Sequence, residues 1–560
     1  METMELDGGQ RASTLSGGRP PKRQISNISL PKKKSDIAGA CSNLVNSIVG
    51  AGIIGIPFAL KESGLVTGVI LLIAVSYFTD KSLRMLVELA TFHPRLKGHG
   101  VLTYEDLMMI PFGKMGHHFI LGSMLITAYG AMVAYLLIIK DTLPVVLGFE
   151  DQPGSGSFIA RELVMFVTSL LIIVPLSMQR DMSALALTSF FSVLCDAVLV
   201  IFIAIFSPVK ESLAAAGGLG SVIKENWINS GCFIGFGVLT VAMCCQHSAF
   251  IVSGSLADLT SSRWAAVTCR SLSISCLLCA VLGISGYLGF LDETQGDVLN
   301  NFDPDTMQAT AARALLALTM FFTYPMESFV ARHVLIKLLF DGDLDGLVMD
   351  PNTGNMVKGP KWLGCLNRRR FWTVVIYVAT LVPALIVNDL GPVLSITGAI
   401  GGCSLAYIGP GLVYLGSHGD TFLSLLAGKI DSKNNRTAQT TPNDLPVEGD
   451  SKVSIQLQSP VPILQGPKPW WWWPLLMPIW VHIAAVGSQG MNERMTFQEQ
   501  EHAPLSSPDS DLDETTDIVP FRTRDAYFSV FFIVFGIIAL VAGILSNVYV
   551  QVHDIFYSSS

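Results

Sequence analysis

The feature that most constrains this 560-residue chain is a repeated one: eleven long apolar runs, near residues 37–60, 64–79, 117–139, 162–178, 183–206, 231–252, 271–291, 311–331, 371–387, 390–415 and 526–550. A helix rises 1.5 Å per residue, so about 20 apolar residues cross the ~30 Å hydrocarbon layer of a bilayer. No water reaches backbone N–H and C=O groups there, and uninterrupted runs of this length satisfy them as helices. The runs are numbered here as spans 1 to 11. Spans 2 and 9 are short and are expected to recruit flanking polar residues at their ends. Charged residues make up only 14% of the chain, against about a quarter in a soluble domain, which excludes an ordinary water-soluble enzyme. A net charge of −8 leaves no basic footprint for nucleic acid, and the membrane lipid is the solvent for most of the chain. The ten cysteines fall mostly in or beside apolar runs, unlike the disulfide framework of a secreted domain.

Residues 1–35 are rich in Gly, Ser, Pro and Lys, end in Lys32, Lys33 and Lys34, and read as a disordered cytosolic tail. With that tail inside, Lys and Arg through span 10 divide 22 inside to 6 outside, the expected positive-inside bias. Residues 36–415 then form a ten-helix core. Residues 416–525 are a polar, acid-rich insert that reads as disordered and is large enough to recruit protein partners of unknown identity. Within it, 470–487 holds Trp470 to Trp473, Pro474, Pro478 and Trp480. Tryptophan favours the membrane interface and proline breaks helices, so this segment is read as lying on the membrane surface, with a twelfth span as the alternative. Residues 526–550 make the eleventh transmembrane helix and 551–560 a C-terminal tail on the opposite side.

Span 1 carries unusual chemistry. It reads Cys41-Ser-Asn43-Leu-Val-Asn46-Ser-Ile-Val49-Gly50-Ala51-Gly52-Ile-Ile-Gly55-Ile-Pro57, with two amides, three glycines and a proline inside hydrocarbon. Such a helix is expected to break near Gly50 to Gly52, where freed backbone groups face a polar cavity and a half-helix N-terminus attracts a carboxylate. The competing reading is that small residues at this spacing only let two helices approach closely. Asn43 and Asn46, at spacing i, i+3, favour the first, because side-chain amides are expensive in lipid unless they bind something.

This segment resembles the amino acid/auxin permease family, and within it the sodium-coupled neutral amino acid transporter branch, through Asn46-Ser-Ile-Val-Gly-Ala-Gly-Ile-Ile-Gly55. The resemblance extends to Gly130-Ala-Met-Val-Ala-Tyr135 with Asp141-Thr142, to Thr323-Tyr-Pro325, and to Val387-Asn-Asp389 through Pro410-Gly411. It implies an all-α polytopic membrane protein with a leucine-transporter-like fold. In that fold spans 1–5 and 6–10 are inverted repeats, spans 1 and 6 are unwound at mid-membrane, and span 11 lies outside the repeat. The implied substrate site joins Gly50, Ala51 and Gly52 to Thr240 and Cys244 of span 6. Span 6 departs from the family pattern in having no glycine between Thr240 and Gln246. The implied cation site lies between spans 1 and 8, with Asn46, Val49 and either Thr319 or Thr323; Glu327 continues the threonines' i+4 face. The alternative for both threonines is a hydrogen bond to their own helix.

Asp196 stands near the middle of span 5, on one face with Ser189 and Ser192, and an intramembrane carboxyl is a functional candidate by default. It either ligands the cation, replaces it with a proton, or bonds a neighbouring helix with no transport role. Cys244, Cys245 and His247 are an incomplete set for zinc, so no metal is expected. Neither is any cofactor beyond a transported Na+ or H+. With no HExxH motif and no nucleophile–base pair, there is no catalytic residue to name. The expected function is alternating-access, cation-coupled transport of an amino acid, a neutral one because spans 1 and 6 place no ionised residue beside the site. An amino-acid sensor that signals through its cytosolic segments is the rival. Family members work at the plasma membrane and at lysosomal or vacuolar membranes.

Overall fold

The computed structural model describes residues 35–93, 96, 101–149, 158–179, 186–304, 306–340, 347–349, 356–358, 368–426, 477–501 and 522–557. Over its described residues each of the eleven apolar runs is mainly helical, with breaks in spans 1 and 6. Eight helices are individually long and apolar enough to cross a membrane, or up to ten spans if each of two bent pairs counts as one. The bent pairs are span 1, Ile37–Ile48 with Gly52–Ser63 at 55°, and span 5, Ser192–Phe206 with Val209–Ala215 at 43°. Span 4 is a continuous helix from Phe158 to Ser177 that includes a wide π turn at Ser169–Ile173. Span 2 is longer than its apolar run, Leu65–Phe92, because its C-terminal part carries Asp80, Lys81 and Arg84. There Asp80 pairs with Arg84, and Lys81 with Asp525 at the start of span 11, both at 2.8 Å.

Burial sorts the helices into a core and a lipid-facing ring. The most apolar stretch of span 10 (Leu390–Ser417) is 83% buried, that of span 9 (Arg368–Ile386) only 33%. The ring turns Ile70 and Ile73, Leu277, Val378 and Val382, and Ile538 and Leu545 outward, apolar side chains whose solvent is lipid. Against the core, spans 3 (Tyr104–Val146) and 8 (Met307–Phe340) pack along each other, and span 5 packs on both span 1 and span 8. Glycines set the closest approaches. A Cβ on Gly398 of span 10 would lie 1.8 Å from the Gly237 carbonyl oxygen of span 6, and one on Gly401 2.2 Å from Thr127 Oγ1 of span 3. Gly398 and Gly401 of span 10 are therefore packing positions.

Polar ties close both ends of the bundle. At one end Lys140 donates to the carbonyls of Ala384 (2.9 Å) and Val387 (2.5 Å), so an ammonium caps the C-terminus of span 9. Beside it Asp141 pairs with Arg161 at 2.8 Å and accepts from Asn300 at 3.3 Å. At the other end Lys337 of span 8 holds Glu105 and Asp106 at the start of span 3, at 2.9 and 3.1 Å. Two short strands, Leu347–Met349 and Met356–Lys358, pair antiparallel between spans 8 and 9.

The stretch read as disordered contains two helices, Gly419–Leu426 and Met477–Glu501, which pack on each other. The second also packs on spans 3 and 10, with Gly487 so close to Gly416 that a Cβ would lie 2.3 Å from its Cα. It is not among the helices apolar enough to cross a membrane. Trp470 to Trp473, the tail to residue 34, and residues 427–476 and 502–521 lie outside the described residues.

Candidate functional site

Span 1 stops being a helix where the glycines predict. Its first half ends at Ile48; Val49 is extended (φ −80°, ψ 95°), as is Gly50 (φ −141°, ψ −151°), and a tight turn, Ala51–Gly55, leads into Ile56–Ser63. The first bond of that turn runs from Ile53 N–H to the Gly50 carbonyl, 3.1 Å, so the Gly52 N–H precedes it and has no acceptor within that turn. Gly52 is forced by packing: a Cβ there would lie 2.5 Å from Ala242 Cα of span 6. Gly50 is different. A Cβ there would meet only the Tyr135 hydroxyl of span 3, at an ordinary 3.9 Å.

Span 6 breaks as well, without glycine. Its first half, Cys232–Ala242, gives way at Met243–Cys245 to a short turn, Gln246–Ser248, before Ala249–Ser255 resumes the helix. Met243 (φ −100°) and Cys245 (φ −133°) have ordinary negative φ, so no glycine is required. The freed backbone is satisfied by a side chain. The Oε1 of fully buried Gln246 accepts from Cys245 N–H at 3.1 Å and from Cys244 Sγ at 3.2 Å, and its Nε2 donates to Ser82 of span 2 at 3.4 Å. The two breaks are joined by Ser47 Oγ donating to Ser248 Oγ at 2.6 Å.

Around this junction the structure distributes the expected site residues as follows. With the helix ending at Ala242, Thr240 turns to span 10, its hydroxyl 3.5 Å from Tyr407 Oη, while Cys244 stays at the break. Asn46 is half-buried, Val49 is buried, and the side chain of Ala51 lies outside the description. Thr319 donates to the Leu315 and Leu316 carbonyls at 3.2 and 2.7 Å, and Thr323 to the Thr319 carbonyl at 2.8 Å, so both hydroxyl protons stay within their helix. Asp196 is 2% exposed and its Oδ2 has no partner. Ser189's side chain lies outside the description.

Two residues were not assigned from sequence. Tyr135 appeared only inside a motif; it is 5% exposed, points its hydroxyl at the Gly50 break, and lies within Coulombic range of both Glu327 and Asp196. Gln246 gave a signal that went unused, an amide in an otherwise apolar run. Among the described residues no group of three or more His, Cys, Asp or Glu is arranged to hold a metal ion.

Two adjoining helix breaks inside a bundle of membrane-crossing helices define a transport protein's architecture rather than an enzyme's, and the relatives agree. Residues 33–426 match the family described as transmembrane amino acid transporter protein, and the chain belongs to that family. It is 30% identical over 386 residues to mouse "Putative sodium-coupled neutral amino acid transporter 11", covering 68% of this chain and 78% of that one. It is 29% identical over 381 residues to vacuolar amino acid transporter 2 of Saccharomyces cerevisiae, covering 68% and 76%. Among solved structures it is similar to Mhp1, a nucleobase–cation symport transporter, with a TM-score of 0.43 at 12% identity over 69% of this chain and 79% of that one. The chain is an integral, multi-pass membrane protein and an amino acid transporter by family.

Proposed function

We propose that the chain carries a neutral amino acid across the membrane by alternating access, driven by Na+ or H+. The observation that carries this reading is the pairing of the two breaks, one whose turn leaves the Gly52 N–H without an acceptor and the other held open by Gln246. A substrate carboxylate sits on the Gly52 N–H, where the half-helix dipole favours negative charge. The substrate ammonium meets carbonyls freed by the breaks, and the side chain lies toward Tyr135, Cys244 and span 10. Asn46, Val49 and Thr319 or Thr323 form the cation site, since a threonine whose proton is committed to its helix still offers oxygen lone pairs to a hard cation. Two pairings support a five-plus-five repeat with span 11 outside it: spans 1 and 6 both break, and spans 3 and 8 pack along each other. The printed names of the relatives support an amino acid as substrate, sodium as a coupling ion in one, and a vacuolar membrane as the site of action in another. The test is uptake of labelled amino acids by the purified chain in liposomes, with sodium and proton gradients imposed separately. Accumulation of neutral amino acids under one gradient is the expected result; binding without uptake would make the chain a sensor.

A further inference from the structure

The half-helices that meet at the two breaks are joined a second time, at their far ends. Ser35, just before span 1, forms a parallel bridge with Leu256, just after span 6: its N–H donates to the Ser255 carbonyl at 2.7 Å and its carbonyl accepts from Ala257 N–H at 2.9 Å. Leu256 is buried and extended, so the pairing is a strand-like seam and not a continuation of either helix. With Ser47 bonded to Ser248 beside the breaks, Ile37–Ile48 and Ala249–Ser255 are fastened at both ends. Parting them requires the seam to open. Both seam bonds use the backbone of Ser35, a half-buried residue, and leave its hydroxyl for other chemistry. That hydroxyl stands beside a negative charge. Asp36 caps span 1 by accepting from Gly39 N–H at 2.8 Å, and a Cβ on Gly39 would lie 3.1 Å from Asp36 Oδ1 and 3.8 Å from Ser35 Oγ, so both oxygens face the same point of the first helical turn.

In the sequence Ser35 directly follows Lys32, Lys33 and Lys34, and cations on the N-terminal side of a serine are a charge pattern by which protein kinases select substrates. We propose that Ser35 is a phosphorylation site whose modification opens the seam between spans 1 and 6. This rests on the transport reading above, with the end that carries the tail facing a cytosol that supplies nucleoside triphosphate. In the transfer, Ser35 Oγ bonds to the γ-phosphorus of the triphosphate, and the bond from that phosphorus to the bridging oxygen breaks. Its electron pair stays on the departing nucleoside diphosphate, and the hydroxyl proton passes to the kinase's base. The product sets about two negative charges against the Asp36 carboxylate and competes with it for the Gly39 N–H. Turning Ser35 away from the helix relieves the repulsion and takes its N–H and C=O out of the seam. The halves of spans 1 and 6 that the seam joins are then free to part, which shifts the population toward the state open on the tail side.

The experiment treats the purified full-length chain with a serine/threonine kinase selective for basic sequences and Mg-ATP, beside Ser35→Ala and Ser35→Pro, and then reconstitutes each for uptake. In all three the other serines and threonines before residue 35 are alanine. Mass spectrometry should find phosphate on Ser35. At fixed pH the Ala257 N–H should then exchange about tenfold faster than in the untreated chain, the size expected of a dianion set beside a carboxylate near the surface, and uptake should slow by a similar factor. Ser35→Ala keeps both backbone bonds and should show neither change on treatment; Ser35→Pro lacks the N–H given to Ser255 and should show fast exchange without any kinase. The proposal is overturned if Ser35 of the folded chain takes no phosphate, if the treated chain exchanges and transports like the untreated one, or if Ser35→Ala responds equally. Slower exchange of Ala257 also overturns it, since the phosphate would then have drawn Arg263 from Asp258, its partner at 4.0 Å, and tightened the seam. Failure of the transport reading looks different: the untreated chain would take up no amino acid, while phosphate and exchange would still report on the seam.

Discussion

The breaks in spans 1 and 6 do the same job with different materials. Span 1 uses three glycines and span 6 none, yet neither break contains a residue with positive φ. Glycine is therefore not needed here to turn the chain. Gly52 is needed because span 6 lies against it, and the span 6 break is instead held by the side chain of Gln246, which supplies the acceptor that a continuous helix would have provided. One break is made by removing a side chain so that a neighbour approaches, the other by adding one that replaces a backbone partner.

This difference is open to attack, first at Gly52. Gly52→Val puts a branched side chain where even a Cβ would be 2.5 Å from backbone, so it should destabilise the protein by about 3 kcal/mol or more and abolish uptake, read as lost detergent-extracted monodisperse protein. Gln246→Leu comes next. It strips the acceptor from Cys245 N–H and should cost about 1–3 kcal/mol in thermal unfolding, while Gln246→Glu, which keeps an acceptor oxygen, should cost less. Gly50 is the smallest in stability and the most specific in function. Gly50→Ala finds ordinary contact with Tyr135 and should change stability by less than about 1 kcal/mol, whereas Gly50→Val, folded, should stop uptake by filling the space over the Gly52 N–H. If Gly50→Val transports normally, the glycines of span 1 are packing residues alone.

A last, subtler probe concerns the loop Val298–Asn301, which packs on the Ala51–Gly55 turn and so covers the span 1 break. Its N-cap, Asp297, lies outside the spans and is 2% exposed; burial, reinforced by Asp141, pushes its carboxyl from 3.8 up to about 7, against the Leu299 N–H and Arg313, which pull it down. A carboxyl raised in the folded state disfavours that state once it must ionise, so the loop's stability is greatest below about pH 4 and declines as pH rises toward 7. Protection factors of the amides in 296–301, with the intrinsic base catalysis of exchange divided out, should fall across that window in the parent and stay flat in Asp297→Asn. Equal pH dependence in both would remove the loop's titration from the account.

The sequence makes the membrane class, the spans and the first break legible because each rests on local chemistry: apolar runs of bilayer length, and glycines beside amides at Gly50 to Gly52. The second break was not legible by the same rule, since looking for a glycine between Thr240 and Gln246 misses a break whose backbone is satisfied by Gln246 itself. Tyr135, Asp196 and Glu327 come from three different spans, so only the packed bundle brings them into range of one another; nothing in their sequence spacing does.

The central claim is that the two breaks form one binding site. The most direct measurement is an experimental structure of the full chain with a transported amino acid bound. The account predicts its carboxylate on the Gly52 N–H and its remaining atoms between Tyr135 and Cys244. An amino acid bound elsewhere, with the space beside Gly50 filled by protein side chains, would contradict it.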